Sequence, residues 1–154
     1  MPTAGAFSDF VEDAIAKQYF RNTAPAAPPA TVYVAAFTAV PTDVAGSGTE
    51  VSAAGTAYAR QAVSCGTSGT GVGAGWTYTT ATGTVVNAAD VLWAICTASW
   101  GTVVAFGIFD AVTGGNMIAR IDKDGANAAI SVAITTVGVD QLKIPAGSLS
   151  IVID

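Results

Sequence analysis

The sequence lacks histidine and is poor in charged and aromatic residues. None of its 154 residues is histidine, charged residues make up 11% and aromatic residues 8%. An average soluble protein has about 25% charged residues. Without histidine, the chain has no Ser-His-Asp or Cys-His pair, no histidine metal ligand and no imidazole general base. The net charge of −5 leaves no basic surface for phosphates, so we expect no nucleic-acid partner.

Cysteine is equally scarce, with Cys65 and Cys96 alone. Their separation matches neither a zinc site nor a thioredoxin motif. We therefore expect two buried free thiols in strands, with no metal and no cofactor. A single disulfide remains the alternative if the protein matures outside a reducing compartment.

Long apolar runs are also missing. No segment approaches the roughly 20 consecutive apolar residues of a membrane span, and no basic segment followed by an apolar one marks a signal peptide. We expect a protein made in a cytoplasm without a membrane partner. Because hydrophobic residues make up 51% of so weakly charged a chain, the sequence also predicts a homo-oligomer.

One helix is predicted, over residues 8–20, and it ends before Pro25. Ser8 or Asp9 can cap its first turn. Its apolar stripe is the candidate interface, and residues 1–30 are expected to form this helix and a Pro-rich arm. The stripe consists of Phe7, Phe10, Val11, Ala14, Ile15 and Tyr19.

The remaining chain shows β-branched and aromatic segments separated by turn residues, a pattern typical of strands. We predict an all-β fold, a β-sandwich or jelly roll with a short N-terminal helix, with residues 31–154 as one β-sandwich domain. Hairpins are expected between 102–109 and 117–121, and between 141–144 and 148–153. The other predicted strands are 31–38, 58–65, 76–80, 84–87, 91–96 and 129–135.

Each candidate for chemistry has a simpler structural interpretation. The DKDGAN run at 122–127 resembles part of a calcium loop but lacks the required ligands, so a polar turn is favoured. Asp110 is expected to accept N–H groups of the next turn. Arg60 is expected to pair with an acid or cap a carbonyl, and a contact between subunits is the alternative. The glycines of residues 66–75 fit no phosphate-binding pattern.

The three tryptophans, Trp76, Trp93 and Trp100, are interpreted as core or subunit contacts. A surface that stacks on sugars is the alternative. No arrangement of residues assembles an active site, so we do not expect an enzyme.

Several segments in one order resemble a family of small virion proteins of tailed bacteriophages, usually labelled tail-fibre-like. The resemblance covers nearly the whole chain. It is carried by SDFVEDAI at 8–15, PATVYV at 29–34, GTEV at 48–51, YARQAV at 58–63, SWGTV at 99–103, FGIFD at 106–110, TGGN at 113–116 and AGSLSI at 146–151.

The resemblance implies a non-enzymatic structural protein of the virion, assembled in the host cytoplasm. A capsid decoration (cement) protein bound to the major capsid protein is favoured, because 154 residues without an internal repeat leave little room for a fibre shaft. A tail-fibre or minor tail protein that contacts other tail proteins and takes part in host attachment is the alternative. A glycan-degrading enzyme is the weakest of the three. With the resemblance, the expected homo-oligomer is a trimer, because a trimer suits both the three-fold positions of a capsid and the axis of a fibre.

Overall fold

A computed structural model describes residues 6–24, 26–44, 47–66, 75–124 and 127–153. These residues form antiparallel sheets and one short helix near the N-terminus, which confirms the predicted all-β class. The elements are α1 (Asp9–Phe20), β1 (Ala6–Phe7), β2 (Thr31–Ala39), β3 (Thr49–Glu50), β4 (Gln61–Ser64), β5 (Trp76–Thr79), β6 (Thr84–Asn87), β7 (Val91–Ile95), β8 (Gly101–Val103), β9 (Ala105–Phe109), β10 (Met117–Ile121), β11 (Val132–Ile134), β12 (Gln141–Ile144) and β13 (Ser150–Val152).

The largest sheet has six strands in the order β1-β10-β9-β2-β3, and β4 also pairs with β2. Strand β2 is the longest, with nine residues rich in β-branched and aromatic side chains, which suit a pleated surface. The predicted hairpin between residues 102–109 and 117–121 is present as β9 and β10.

Three smaller sheets, β11-β8, β12-β7 and β13-β6-β5, supply the other side of the main core. Alternate residues of β2 and β9, such as Val34 and Ile108, meet side chains of the smaller sheets, such as Trp93, Leu142 and Ile151. The core thus lies between the large sheet and the smaller ones.

The opposite face of the large sheet carries a second apolar cluster, here called the outer cluster. It consists of Ala35, Phe37, Ala105, Phe109 and Met117. The Phe37 and Phe109 rings stack with centroids 6.2 Å apart. Gly107 lies beneath them, and a Cβ on it would come within 2.8 Å of one ring and 2.9 Å of the other. The central strands β2 and β9 are therefore covered on both faces.

The predicted hairpin between residues 141–144 and 148–153 is wrong. Strand β12 pairs with β7, whereas β13 pairs with β6. Buried Asn87 explains the separation, since its amide donates to the Pro145 carbonyl at 2.9 Å and accepts the Leu149 N–H at 2.8 Å. This side chain fixes the connecting turn so that the two strands join different sheets.

Two other expectations need correction. The predicted strand 102–109 is divided, because β8 pairs with β11 while β9 joins the large sheet. Both cysteines are free, but only Cys96 is buried; Cys65 is half-buried. Each follows the last residue of a strand, β4 for Cys65 and β7 for Cys96, so neither lies within one.

Most of the glycine-rich stretch 66–75 lies outside the described residues.

Candidate functional site

Helix α1 lies on the surface, and none of its residues is buried. Its apolar side chains are exposed to an unusual degree: Tyr19 by 73%, Phe20 by 85% and Ile15 by 42%. An isolated helix shorter than about 12–15 residues is marginal in water, and most helices gain stability by packing one face. This helix of 12 residues thus has much apolar surface that its own domain leaves uncovered.

The helix is attached to the domain at its N-terminal end. Ser8 occupies the N-cap position, but its side chain makes no capping bond to the helix. Instead, the Ser8 hydroxyl donates to the Met117 carbonyl, and its N–H donates to the Ile118 carbonyl at 3.0 Å. The Asp9 N–H donates to the Asp43 carbonyl at 3.3 Å. These bonds tie the start of α1 to β10 and to the segment after β2.

A groove of about 600 Å³ runs between α1 and the Pro-rich arm. Phe10 and Val11, two of the predicted interface residues, line it together with small side chains of the arm. Ile15 and Tyr19 are outside this lining and exposed. Phe7 lies in β1 and packs against the main core. The remaining lining residues are Ala14, Gln18, Ala26, Ala27, Pro28, Pro29, Asp110 and Ile118.

A second arrangement of polar groups surrounds Arg60, whose side chain is only 7% exposed. Its Nε and Nη2 donate to the two carboxylate oxygens of Glu50 at 2.9 and 2.8 Å. Its Nη1 donates to the Ala111 and Gly114 carbonyls at 2.9 and 2.8 Å. Arg60 therefore does both things that the sequence predicted as alternatives: it pairs with an acid and binds carbonyl oxygens.

Tyr58 extends this network, here called the Arg60 clasp. Its hydroxyl donates to Glu50 Oε1 and accepts the Ala36 N–H, both at 2.9 Å. Burial, the largest cause, raises the pKa of the Tyr58 hydroxyl far above its ordinary value, so the group stays protonated. Four chain segments meet here beside a small cavity of about 250 Å³. Because four of the five guanidinium N–H groups are engaged, the clasp holds the fold together rather than presenting a free cation.

The other acidic candidates have structural bonds. The two carboxylate oxygens of Asp110 accept the Asn116 N–H at 2.7 Å and its side-chain amide at 2.8 Å, which confirms the predicted turn contact. Asp124 accepts the Ala128 N–H at 2.8 Å, as expected for a polar turn. Within the described residues, no group of three or more Cys, Asp or Glu could hold a metal ion. No helix in the described part of the chain combines the length and the apolar character that crossing a bilayer requires.

Two of the three tryptophans are buried in the core, and the third packs against it. Trp93 and Trp100 are 1% and 5% exposed, and Trp76 packs against the main core while partly exposed. Trp93 stacks on Phe106 at 6.0 Å, and Tyr58 meets Trp100 edge-on at 5.3 Å. The core interpretation is confirmed for Trp93 and Trp100, which offer no ring face to a sugar.

Sequence reasoning did not identify Glu50 and Tyr58 as partners of Arg60. One signal was available: Glu50 and Arg60 have opposite charges and lie only 10 residues apart in a chain with few charges. Their pairing depends on the register of β3 and β4 along β2, and that register cannot be read from either segment alone.

Comparison with known proteins supports the resemblance to small virion proteins of tailed bacteriophages. The family described as podophage GP4 fiber I protein gp80 matches residues 6–152, which is nearly the whole chain. A search of the curated proteins finds no match. The chain belongs to the gp80 family of podophage fiber proteins and is thus a structural protein of the bacteriophage virion.

Proposed function

We propose that the protein is a non-enzymatic virion subunit that attaches to neighbouring virion proteins through α1 and the Pro-rich arm. The observation that carries this proposal is the helix of 12 residues that buries none of them within its own chain. Exposed apolar surface of this kind marks protein contacts in otherwise soluble molecules. The subunit acts by burying surface, and a standard interface of about 1,600 Å² is sufficient for stable attachment.

The name of the family supports a place on a tail fibre, where the partners are other tail proteins. A short β domain suits a terminal or accessory position on such a fibre, since a shaft requires repeated units.

Decoration of the capsid is the second candidate, with the major capsid protein as partner. It is supported by the arm beside a small domain, because a decorating subunit binds a lattice of neighbours through such projections. Copy number distinguishes the two places. Quantitative mass spectrometry of purified virions is expected to find tens of copies or fewer for a fibre, whereas hundreds would favour the shell.

We further propose that α1 and the Pro-rich arm within residues 1–30 form an attachment segment, whereas β1 of that range joins the sheet of the domain at residues 31–154. We also propose that three copies form an oligomer assembled in the host cytoplasm. A trimer suits the axis of a fibre and the three-fold positions of a shell. Sedimentation equilibrium of the full chain tests it: a mass of three chains supports the trimer, and a stable monomer or dimer overturns it.

Two exposed aromatic residues allow the role of the helix to be tested directly. The double variant Tyr19→Ser/Phe20→Ser removes apolar surface that is 73% and 85% exposed, so the domain is expected to keep its melting temperature. Virions produced with this variant are expected to lose most copies of the protein. The matched control is Val137→Ser/Val139→Ser, which removes side chains that are 56% and 69% exposed elsewhere. Normal incorporation of the helix variant would overturn the proposal.

A further inference from the structure

A cavity of about 320 Å³ lies between one end of the large sheet and the turn that follows β12. This volume is within the range of small-molecule sites, which is roughly 300–1,000 Å³. Four buried apolar side chains from different elements contribute to its lining: Phe106, Ile121, Ile144 and Leu149. The serines Ser131 and Ser148 add hydroxyl groups.

The charged residues that line the cavity differ in whether they form an ion pair. Only three lysines occur in the sequence, and two of them, Lys123 and Lys143, line this cavity. Lys143 pairs with Asp90 at 2.6 Å, and Asp90 lies outside the lining. Asp124 also lines the cavity and accepts the Ala128 N–H of its own turn.

Lys123 differs from the other lysines. It is half-buried, and no described carboxylate lies within ion-pair distance of it. A cation at the edge of an apolar cavity attracts an anion, and the attraction is stronger there than in open water. Lys123 thus brings a positive group to a cavity that Asp124 also lines.

We propose that this cavity binds a small alkyl carboxylate, with the hydrocarbon against the apolar lining and the carboxylate against Lys123. The apolar lining provides the contact area for the chain, and the ammonium group selects the acid over a neutral alcohol. This inference is independent of the attachment role of α1, because the cavity shares no lining residue with the groove beside α1.

Isothermal titration of the full chain with octanoate tests the proposal, with octanol and acetate as separate probes. Octanoate is expected to bind more tightly than either, because octanol lacks the charge and acetate lacks the chain. The variant Lys123→Gln is expected to weaken octanoate about tenfold and leave octanol unchanged, as expected for the loss of one charge-assisted contact. Lys17→Gln is the matched control, since Lys17 is an exposed lysine of α1 paired with Asp13.

A second variant keeps the test valid without touching the core. Val132 is 40% exposed and lines the cavity, so Val132→Phe is expected to narrow it and abolish octanoate binding while the melting temperature stays near wild type. Equal affinity for octanoate and octanol, unchanged affinity in Lys123→Gln, or no octanoate binding by the wild-type chain would each overturn the proposal.

Discussion

The guanidinium carbon of Arg60 lies 3.7 Å from the centroid of the Phe109 ring. The same guanidinium forms the bidentate pair with Glu50, so one side chain joins the polar clasp to the outer cluster of the large sheet. Planar stacking of this kind is a property of arginine that lysine does not share.

Replacing Arg60 by lysine is expected to lower the free energy of unfolding by about 2–3 kcal/mol, because lysine cannot keep two bonds to Glu50 and two to backbone carbonyls. Urea unfolding measures the change. Arg21→Lys is the control, since Arg21 is exposed beyond α1, and it is expected to change stability by less than about 0.5 kcal/mol. Equal stabilities of the two variants would contradict the clasp.

The two buried tryptophans allow a paired comparison. Trp100 Nε1 donates to the Thr56 carbonyl at 2.8 Å, whereas Trp93 Nε1 has no hydrogen-bond partner among the described residues. Phenylalanine removes a similar volume at both positions, but only at position 100 does it remove a hydrogen bond. Trp100→Phe is therefore expected to cost about 1–2 kcal/mol more than Trp93→Phe in thermal unfolding. The reverse order would contradict this assignment.

Acid is expected to weaken the fold through Asp140. Its carboxylate accepts the N–H groups of Thr136 at 2.7 Å and Thr135 at 2.8 Å, and these bonds lower its pKa. A lowered pKa contributes stability above the unfolded value of about 4, and that stability is lost as pH falls through the folded pKa. Melting temperatures measured from pH 7 to pH 2 should show a deficit for Asp140→Asn at pH 7 that shrinks at pH 2. A constant deficit would refute the linkage.

Neighbouring glycines in the loop after β9 have different surroundings. Gly114 and Gly115 both have a positive φ, of 59° and 72°. A Cβ on Gly115 would overlap Asp110 Oδ1 and the Ala111 side chain, whereas a Cβ on Gly114 would have no neighbour within 4 Å. Both alanine variants carry the strain of a positive φ, about 1 kcal/mol, and Gly115→Ala is expected to cost clearly more. Chemical denaturation measures both, and equal costs would contradict the contact at Gly115.

The local sequence pattern was sufficient to predict the boundaries of several strands and of the helix. The strands 84–87, 117–121 and 141–144 begin and end where the sequence predicts, because turn residues bound each of them. The helix begins one residue later than predicted. Strand partners were harder to predict, as the connection from β12 to β13 shows: buried Asn87, more than fifty residues away, sets the turn between them.

The candidate interface shows the same limit in another form. An amphipathic sequence pattern predicts that a helix has an apolar stripe. The pattern is the same whether the stripe packs on the sheet of its own chain or on another protein. In this structure Phe7 leaves the stripe for a strand, while Tyr19 remains exposed. A pattern of this kind thus predicts the stripe but not the surface against which it packs.

The exposed turns of α1 and the covered strands of the large sheet are expected to differ in their free energy of local opening. Because amide protection rises with burial, we expect the slowest hydrogen exchange in β2 and β9, which are covered on both faces, and a far lower cost of opening in the exposed turns of α1. We therefore expect the sheets to fold without a partner. Under the proposed attachment a partner orders the helix alone, so we expect substitutions in α1 to change the strength of attachment and to leave the stability of the sheets unchanged.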